Sequence, residues 1–407
     1  MPRRELPFGE TVIGVELPER TQFVQPGAGG GRLPPAANEA QAVRDALAAP
    51  LASDPISARV KPGAKVLIAF DDPTVPSYGP IRRLAIEAVL DELSRAGVDE
   101  QNVSLVCANA LHRKWTNQEL STGLGDDLIK RFGQRLACHD AEDADNLVHL
   151  GVTPEGYDVE VHKLVVDCDL VVYVNAGYYL GFGGGWKSVC VGLSTWRSIR
   201  WTHTPDGMSM SLHKNRMHAV FDKMGAFLEQ QLGSKVFKIE SVLANPFQIS
   251  RVFAGGVDAT RQAAIDLLAT VNVPRRSGGE PADVVIYGVP NWSPYATFAT
   301  MNPILTLISS GLGYLGGHIE ARGKQGCSVI LATPARDEWD LTHHPAYREV
   351  WDNVLTDTLD PVRQAKPGCS CQLKGTDHGT CSFTMKSSGV RQGDRPCEAR
   401  QRRRCQP

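Results

Sequence analysis

Short apolar segments alternate with amphipathic helical segments along the first half of the chain, and this alternation constrains the fold more than any other feature. Residues 65–70 form a continuous apolar run typical of a strand that is buried on both faces. Residues 81–96 carry apolar side chains at helical spacing, and residues 103–107 form the next apolar run. The capping box Thr116-Asn-Gln-Glu119 predicts a helix start, and residues 165–174 predict another strand. This order predicts an α/β fold with a doubly wound sheet.

A second α/β segment follows a polar stretch and indicates a second domain. Residues 282–288 and 327–332 have the pattern of buried strands, and a helix is predicted from about residue 303. We therefore predict two α/β domains with mainly parallel sheets and an interdomain cleft. The predicted boundaries are an N-terminal domain over residues 1–272, a linker over 273–281, a C-terminal domain over 282–363 and an atypical tail over 364–407.

The tail differs in composition from the rest of the chain. It contains five of the ten cysteines, many Arg, Lys, Ser and Gly residues, and no hydrophobic periodicity. A zinc site would favour Cys-x-x-Cys pairs, whereas Cys369 and Cys371 are separated by one residue. The tail is therefore expected to be disordered.

Charge and hydropathy exclude several classes of partner. The formal net charge is −2, so no overall field favours nucleic acid or an anionic membrane surface. No apolar run approaches the roughly 20 residues that span a bilayer. The first residues are charged and lack the apolar segment of a signal peptide. The sequence predicts a soluble cytoplasmic protein, with reduced thiols in its body.

A glycine-rich loop follows the strand that ends near residue 174. Its sequence is Gly181-Phe-Gly-Gly-Gly-Trp-Lys187-Ser188, and His203 lies sixteen residues after the lysine. Glycines such as Gly184 and Gly185 let a ligand approach bare backbone, and a terminal lysine suits a phosphate or a carbonyl-type group. The spacing is not that of a P-loop. A nucleotide site and a simple turn both remain open from the loop alone.

Two further loops follow predicted parallel strands. Asp72-Pro-Thr74 comes after the first strand, and His112 follows the second. Ligands gather at the carboxyl ends of strands in sheets of this type, so we expect these loops to lie together with the glycine loop. The sequence therefore predicts a single site built from three loops.

Together these motifs resemble the nickel-pincer-nucleotide-dependent lactate racemase family. The resemblance rests on the glycine–lysine loop with its later histidine, on Ala110-Leu-His112-Arg and on Asp72-Pro-Thr74. The opening Leu6-Pro-Phe-Gly and the later Val252-Phe-Ala-Gly255 are also similar to that family. The similarity extends from the start of the chain to about residue 363.

The resemblance implies a cofactor and a reaction. Lys187 is expected to carry a pyridinium mononucleotide through a thioamide link, and His203 to be the protein ligand of its nickel. His112 is expected to be an acid/base residue in a racemase or epimerase that acts on a small 2-hydroxy acid by reversible hydride transfer. Cofactor-synthesis enzymes are the implied partners. The expected cofactor-binding residues are Lys187, Asp72, Thr74, Gly184, Gly185 and Ser188.

The sequence departs from the family pattern at positions where the family has residues that bind lactate or act on it. Gly177 occupies the position of a second catalytic histidine, and Val75 that of a substrate-binding arginine. The Gln and Lys of a later family motif are absent from residues 295–299. A different hydroxy acid is one explanation, and a one-way redox enzyme or a cofactor-binding protein that racemises nothing is the other.

Replacements for the missing groups can be suggested from the sequence. The candidates for a second acid/base are Tyr178, Tyr179, His343 and His344. The candidates for carboxylate recognition are Arg113, Lys114, Arg322 and Lys324. For His343 and His344, the preferred alternative is a structural role at the start of a helix beside Thr342.

Overall fold

A computed structural model shows two compact units. It describes residues 1–23, 33–75, 77, 79–178, 181–204, 207, 215–245, 247–271, 280–290, 299–309 and 322–357. The described residues within Gln22–Pro274 form one unit, and those within Met1–Thr21 and Arg275–Gln364 form the other.

The larger unit contains most of the secondary structure. Its strands are β3 (Val66–Asp71), β4 (Val103–Ala108), β5 (Leu136–Cys138), β6 (Leu147–Val152), β7 (Asp158–His162), β8 (Leu170–Tyr178), β9 (Val236–Asn245) and β10 (Gln248–Gly255). Its helices are α1 (Glu39–Ala48), α2 (Ile56–Arg59), α3 (Ile81–Arg95), α4 (Asn117–Leu124), α5 (Asp126–Phe132), α6 (Lys163–Asp167), α7 (Lys187–Cys190), α8 (Trp196–Ile199), α9 (Arg216–Leu232) and α10 (Val257–Ala269).

A six-stranded sheet in the order β10-β9-β8-β3-β4-β5 is the centre of this unit. All neighbouring pairs are parallel except β9 and β10, which form an antiparallel hairpin at one edge. Every residue of β3 is buried: Ile68 packs in one apolar core with α3, and Leu67 packs in a second core with α9. Helices therefore cover both faces of β3, and the prediction of an α/β fold with a mainly parallel sheet is confirmed.

One predicted strand begins later than expected. Residues 165–174 were predicted to be extended because they are rich in apolar, β-branched side chains. Instead, α6 occupies Lys163–Asp167, and β8 begins at Leu170. The His162 side chain accepts a hydrogen bond from the Leu164 backbone N–H, and this N-cap starts the helix. A local cap has therefore overridden strand propensity over these five residues.

The smaller unit combines both ends of the described chain. It contains the antiparallel hairpin β1 (Arg3–Phe8) and β2 (Thr11–Glu16), the parallel pair β11 (Ala282–Gly288) and β12 (Gly323–Ala332), and the helix α11 (Pro303–Ser309). A short helical segment Tyr347–Glu349 continues as the π-helical turn Val350–Val354. The predicted strand at 282–288 and the predicted helix start at residue 303 are confirmed.

The first residues of the chain belong to this smaller unit by their contacts. The backbone N–H of Gly9 donates to the carbonyl of Val289 at 2.9 Å. A side chain at Gly288 would overlap Pro7, so the two backbones approach closely there. This grouping differs from the predicted assignment of residues 1–21 to the N-terminal domain. The predicted boundaries at 272 and 282, and the tail, which lies outside the described residues, stay predictions.

Two sequence expectations can be compared with the described residues. Cys107, Cys138, Cys168, Cys190 and Cys327 are all free thiols. In the parts of the chain that the structure describes, no helix has the length and apolar character required to cross a bilayer.

The packing of α9 against Trp186 gives a first prediction. A Cβ at Gly225 would overlap the indole of Trp186, which is 2% exposed. Overpacking costs about 1–3 kcal/mol, while alanine gains roughly 1 kcal/mol over glycine in a helix. We expect Gly225→Ala to lower the free energy of unfolding by about 1 kcal/mol, within a range of roughly 0–2 kcal/mol, measured by urea denaturation.

A matched control is available in α4. A Cβ at Gly123 would lie 3.4 Å from the nearest atom, Cδ of Arg82, which is an ordinary contact. Gly123→Ala is therefore expected to be neutral or stabilising. Equal effects of the two substitutions on unfolding would contradict the packing of Gly225 against Trp186.

Candidate active site

Three loops form the candidate site at one edge of the sheet. They follow β3, β4 and β8, which are adjacent and parallel, so their carboxyl ends lie together. Asp72 follows β3, His112 follows β4, and the glycine loop follows β8. The predicted grouping of these loops is confirmed.

Asp72 and His112 form a close pair. The Nδ1 of His112 lies 2.7 Å from Oδ2 of Asp72, which is 3% exposed. The hydroxyl of Thr74 donates to the other carboxylate oxygen at 2.6 Å. The indole N–H of Trp115 donates to Oδ2 at 3.2 Å. Since a carboxylate only accepts, the Nδ1 of His112 carries the proton in this bond.

The electrostatics of this pair keep Asp72 ionised. Burial raises the pKa of Asp72, but the His112 ring, the Thr74 hydroxyl and the Arg82 guanidinium together outweigh burial and hold the pKa below its ordinary value. A charged Asp72 is suited to orienting an imidazole and to stabilising the imidazolium that forms when it takes a proton. Asp72 and Thr74, expected to bind cofactor, are thus engaged with His112 and with each other.

A buried arginine fixes the loop that contains Asp72. Arg82, in the first turn of α3, is 5% exposed and its guanidinium donates to backbone carbonyls rather than to an acid. The acceptors are the carbonyls of Asp71 (2.8 Å), Asp72 (2.8 Å), Val75 (3.1 Å) and Ser77 (2.8 Å). Four hydrogen bonds from one rigid side chain fix the path of this backbone.

The glycine loop is held in place by side chains that form hydrogen bonds with its backbone. Gly184 and Gly185 have φ angles of +74° and +57°, which favour glycine. At Gly185 a Cβ would also press on Arg261, so the position is restricted to glycine for two reasons. The partners of the loop backbone are Asn215 on the Gly181 carbonyl (2.7 Å), His218 on the Phe182 carbonyl (3.1 Å), Arg261 on the Gly183 carbonyl (2.9 Å) and Glu240 on the Gly185 N–H (2.8 Å). The loop is a fixed turn.

Lys187 ends this loop, and its amine has no acidic partner in the part of the chain that the structure describes. Its Nζ lies 4.2 Å from the centre of the Phe182 ring, and no described residue accepts a hydrogen bond from it. Burial lowers the pKa of Lys187 to about 8, with Lys238 and Arg261 adding to the effect and Asp71 and Asp72 opposing it. A substantial fraction of the amine is therefore neutral near pH 8 and available as a nucleophile.

A fully buried pair on β9 lies against the loop, and sequence reasoning missed it. Nζ of Lys238 lies 3.5 Å from Oε1 of Glu240, and both side chains have no exposed surface. Lys238 also donates to the hydroxyl of Ser188 and lies 4.2 Å from the centre of the Tyr173 ring. The signal available in the sequence was the presence of two charged residues in the apolar segment 236–242. Ser188, expected to bind cofactor, is held by this pair.

The Nδ1 of His203 forms a hydrogen bond to the backbone, whereas its Nε2 carries the lone pair. Its Nδ1 lies 3.1 Å from the Ile199 carbonyl, which fixes the proton on Nδ1 and leaves the lone pair on Nε2. Burial, together with the charges of Lys187 and His112, outweighs the Ile199 hydrogen bond and lowers the pKa of His203 to about 4. A neutral imidazole of this tautomer is a suitable metal ligand. Because the charges of Lys187 and His112 affect the pKa of His203, the three side chains are close enough to interact electrostatically.

The remaining candidates are less informative. Within the described residues no cluster of three or more His, Cys, Asp or Glu side chains has the geometry to bind a metal. Tyr178 belongs to β8, and Tyr179 lies outside the described residues. In the smaller unit, Nδ1 of His343 lies 2.6 Å from Asp340, and His344 stacks on Tyr347 at 4.3 Å. The identity of a second acid/base stays a prediction.

Three of the four cations suggested for carboxylate recognition already have acidic partners. Arg113 makes a two-point contact with Glu119, at 2.5 and 3.0 Å. Lys114 pairs with Asp140. In the smaller unit, Lys324 pairs with Asp283 at 2.7 Å.

Comparison with known proteins identifies the family. Residues 8–216 match the lactate racemase N-terminal domain, and this range includes Asp72, His112, Lys187 and His203. Because the match covers more than half of the chain, the protein belongs to the lactate racemase family.

Individual relatives agree with this assignment. A lactate racemase from Thermoanaerobacterium thermosaccharolyticum is 27% identical over 296 residues, which are 69% of this chain and 65% of that protein. A lactate racemase from Lactiplantibacillus plantarum is 24% identical over 323 residues, or 74% of this chain and 67% of that protein. The chain thus spans about two thirds of the length of these relatives.

Solved structures support the fold. The lactate racemase apoprotein from Thermoanaerobacterium thermosaccharolyticum aligns with a TM-score of 0.61 at 22% identity, covering 81% of this chain and 74% of that one. A protein from Thermotoga maritima aligns with a TM-score of 0.51 at 16% identity, covering 74% and 71%. At these identities the likeness concerns the fold alone.

The lowered pKa of Lys187 predicts its chemical reactivity. An amine reacts as the free base, so we expect the rate of modification of Lys187 by trinitrobenzenesulfonate to rise with pH and to reach half its maximum near pH 8. Peptide mass spectrometry over pH 6–11 measures this rate at each lysine. Lys223, an exposed lysine paired with Glu155, serves as the internal comparison. A Lys187 profile with its midpoint above pH 10 would contradict the described environment.

Proposed function

We propose that this protein is a racemase or epimerase of a small 2-hydroxy acid, not necessarily lactate, that uses a lysine-linked nickel-pincer nucleotide. The observation that supports the proposal is that the loops of His112 and Lys187 follow adjacent parallel strands, with His203 within electrostatic reach of both side chains. All three residues lie inside the region that matches the lactate racemase N-terminal domain. The activity belongs to isomerases, and the proposed site of action is the cytoplasm.

The residues present fit the proposed cofactor. Lys187 has a partly neutral amine that pairs with no acidic side chain among the described residues, which suits a covalent link to a carbonyl-type group. His203 has its Nδ1 occupied, so Nε2 is the donor for nickel. The fixed turn at Gly184 and Gly185 lets a flat ring lie close to the backbone. When bound, this cofactor supplies a reversible acceptor for hydride.

His112 is the residue proposed to move the proton. With Nδ1 bonded to Asp72, the basic nitrogen of the neutral ring is Nε2, which can take the proton of a substrate hydroxyl and return it. The buried carboxylate of Asp72 stabilises the imidazolium formed at that moment. General base catalysis of this kind contributes roughly 10²–10⁴-fold to a rate.

A second candidate function is a one-way redox enzyme or a protein that binds the cofactor without racemising a substrate. Racemisation by hydride transfer needs hydride to return to either face of the planar keto acid and a base for the hydroxyl proton in each orientation of the substrate. Gly177 and Val75 lack the groups expected for the second orientation and for a carboxylate. The acidic partners of Arg113 and Lys114 favour this candidate further. Net racemisation of a single enantiomer distinguishes the two functions.

Co-expression with cofactor-synthesis enzymes tests the proposal. We expect the intact mass to show a covalent adduct on Lys187 and the protein to contain nickel. Lys187→Ala should lose the adduct, since no amine remains, and His203→Ala should lose most of the nickel while retaining the adduct. His112→Gln should retain adduct and nickel but lower kcat by about 10²–10⁴-fold, because only the base is removed.

The assay uses enantiomerically pure 2-hydroxy acids, including one deuterated at C2. Retention of deuterium at C2 during racemisation is expected for hydride transfer. Complete exchange with solvent would contradict hydride transfer, and absence of both adduct and nickel from the co-expressed protein would contradict the cofactor. A loaded protein that racemises none of these acids would favour the second candidate function.

A further inference from the structure

Trp115 contacts the same carboxylate oxygen as His112. Its indole Nε1 donates to Oδ2 of Asp72 at 3.2 Å, and Nδ1 of His112 donates to this oxygen at 2.7 Å. Trp115 is 9% exposed and Asp72 is 3% exposed, so water competes poorly for this oxygen. The indole and the imidazole are thus linked through one buried atom.

Trp115 is held both at its ring and at its backbone. The guanidinium of Arg113 lies 4.3 Å from the centre of the Trp115 ring, a cation–π distance. Arg113 is fixed by Glu119, which also forms the capping box of α4 with Thr116. The Trp115 backbone N–H donates to Sγ of Cys138 at 3.3 Å.

We propose that Trp115 is a positioning residue that, through Asp72, sets the ring orientation and the tautomer of His112. This inference rests on the proposed function of His112 as the base. Asp72 is oriented at Oδ1 by Thr74 and at Oδ2 by Trp115, so its carboxylate cannot turn away from His112. The hydrogen bond that Nδ1 donates to Asp72 then keeps the proton on Nδ1, so Nε2 is the nitrogen that can accept the substrate proton.

The chemical nature of the donor matters. An indole N–H is neutral and donates only, so it orients the carboxylate without neutralising it. A lysine or arginine at this position would share the charge of Asp72 and weaken its support of an imidazolium. Trp115 therefore supplies direction while Asp72 keeps its full charge for His112.

Trp115→Phe tests the proposal because it removes the N–H and retains most of the ring. The readout is ¹⁵N NMR of protein labelled at the histidine rings, with the His112 signals assigned by their loss in His112→Gln. In the parent protein we expect the Nδ1–H tautomer of His112 and a slowly exchanging Nδ1 proton. In Trp115→Phe we expect a mixture of tautomers and exchange at least about tenfold faster. In the loaded enzyme kcat should fall about tenfold, with KM nearly unchanged.

Trp339→Phe is the matched control. Trp339 lies in the smaller unit and donates its indole N–H to Asp337 at 2.7 Å, so the same type of hydrogen bond is lost at a different place. The tautomer of His112, its exchange rate and kcat should all stay unchanged. Arg113→Gln is a milder second variant, which keeps the N–H but frees the indole, and it should change the exchange rate in the same direction by a smaller factor.

Each outcome decides the proposal. Parent-like tautomer and exchange in both Trp115→Phe and Arg113→Gln would overturn it, as would altered NMR signals with an unchanged kcat. If Trp115→Phe fails to fold, the Arg113→Gln spectrum alone decides. The NMR measurements need no cofactor, so failure of the proposed racemase activity would be seen separately, in the parent enzyme.

Discussion

The candidate site depends on a pair of opposite charges that have no contact with water. Lys238 and Glu240 lie on β9, next to β8, and between them they bind Ser188 and the backbone of Gly185. Buried charges are costly unless they are paired and hydrogen-bonded, and here each meets both conditions. The pair therefore couples the central sheet to the glycine loop, so the position of Lys187 follows from the strand register of β9.

Buried charged residues also fix the other half of the site, the loop that follows β3. Among the described residues, Arg82 donates to backbone carbonyl oxygens, so it holds the loop after β3 without an ion pair to the carboxylate of Asp72. Asp72 in turn directs its charge to His112. In both halves of the site, buried charged groups are held by several hydrogen bonds, and these bonds fix the backbone and side chains around Lys187 and His112.

Local patterns in the sequence were sufficient to predict β3, α3, β4 and the capped start of α4, because residues close in sequence determine each of these elements. The strand-like segment before β8 misled because His162 caps a helix there. The contacts of the site itself were harder to predict. Trp115 meets Asp72 from 43 positions away, and Lys238 meets Ser188 from 50 positions away, so neither pair leaves a periodic signal. Only the fold brings them together.

The grouping of Met1–Thr21 with the C-terminal unit has a consequence for synthesis on the ribosome. The β1–β2 hairpin is translated before the larger unit, whereas Val289, whose carbonyl accepts a hydrogen bond from Gly9, is translated only after it. At typical elongation rates of about 5–20 residues per second, this interval is on the order of 15–50 s. The nascent hairpin must stay soluble during that time without the segment around Val289. The exposed, charged residues Arg3, Arg4 and Glu5 of β1 favour its solubility.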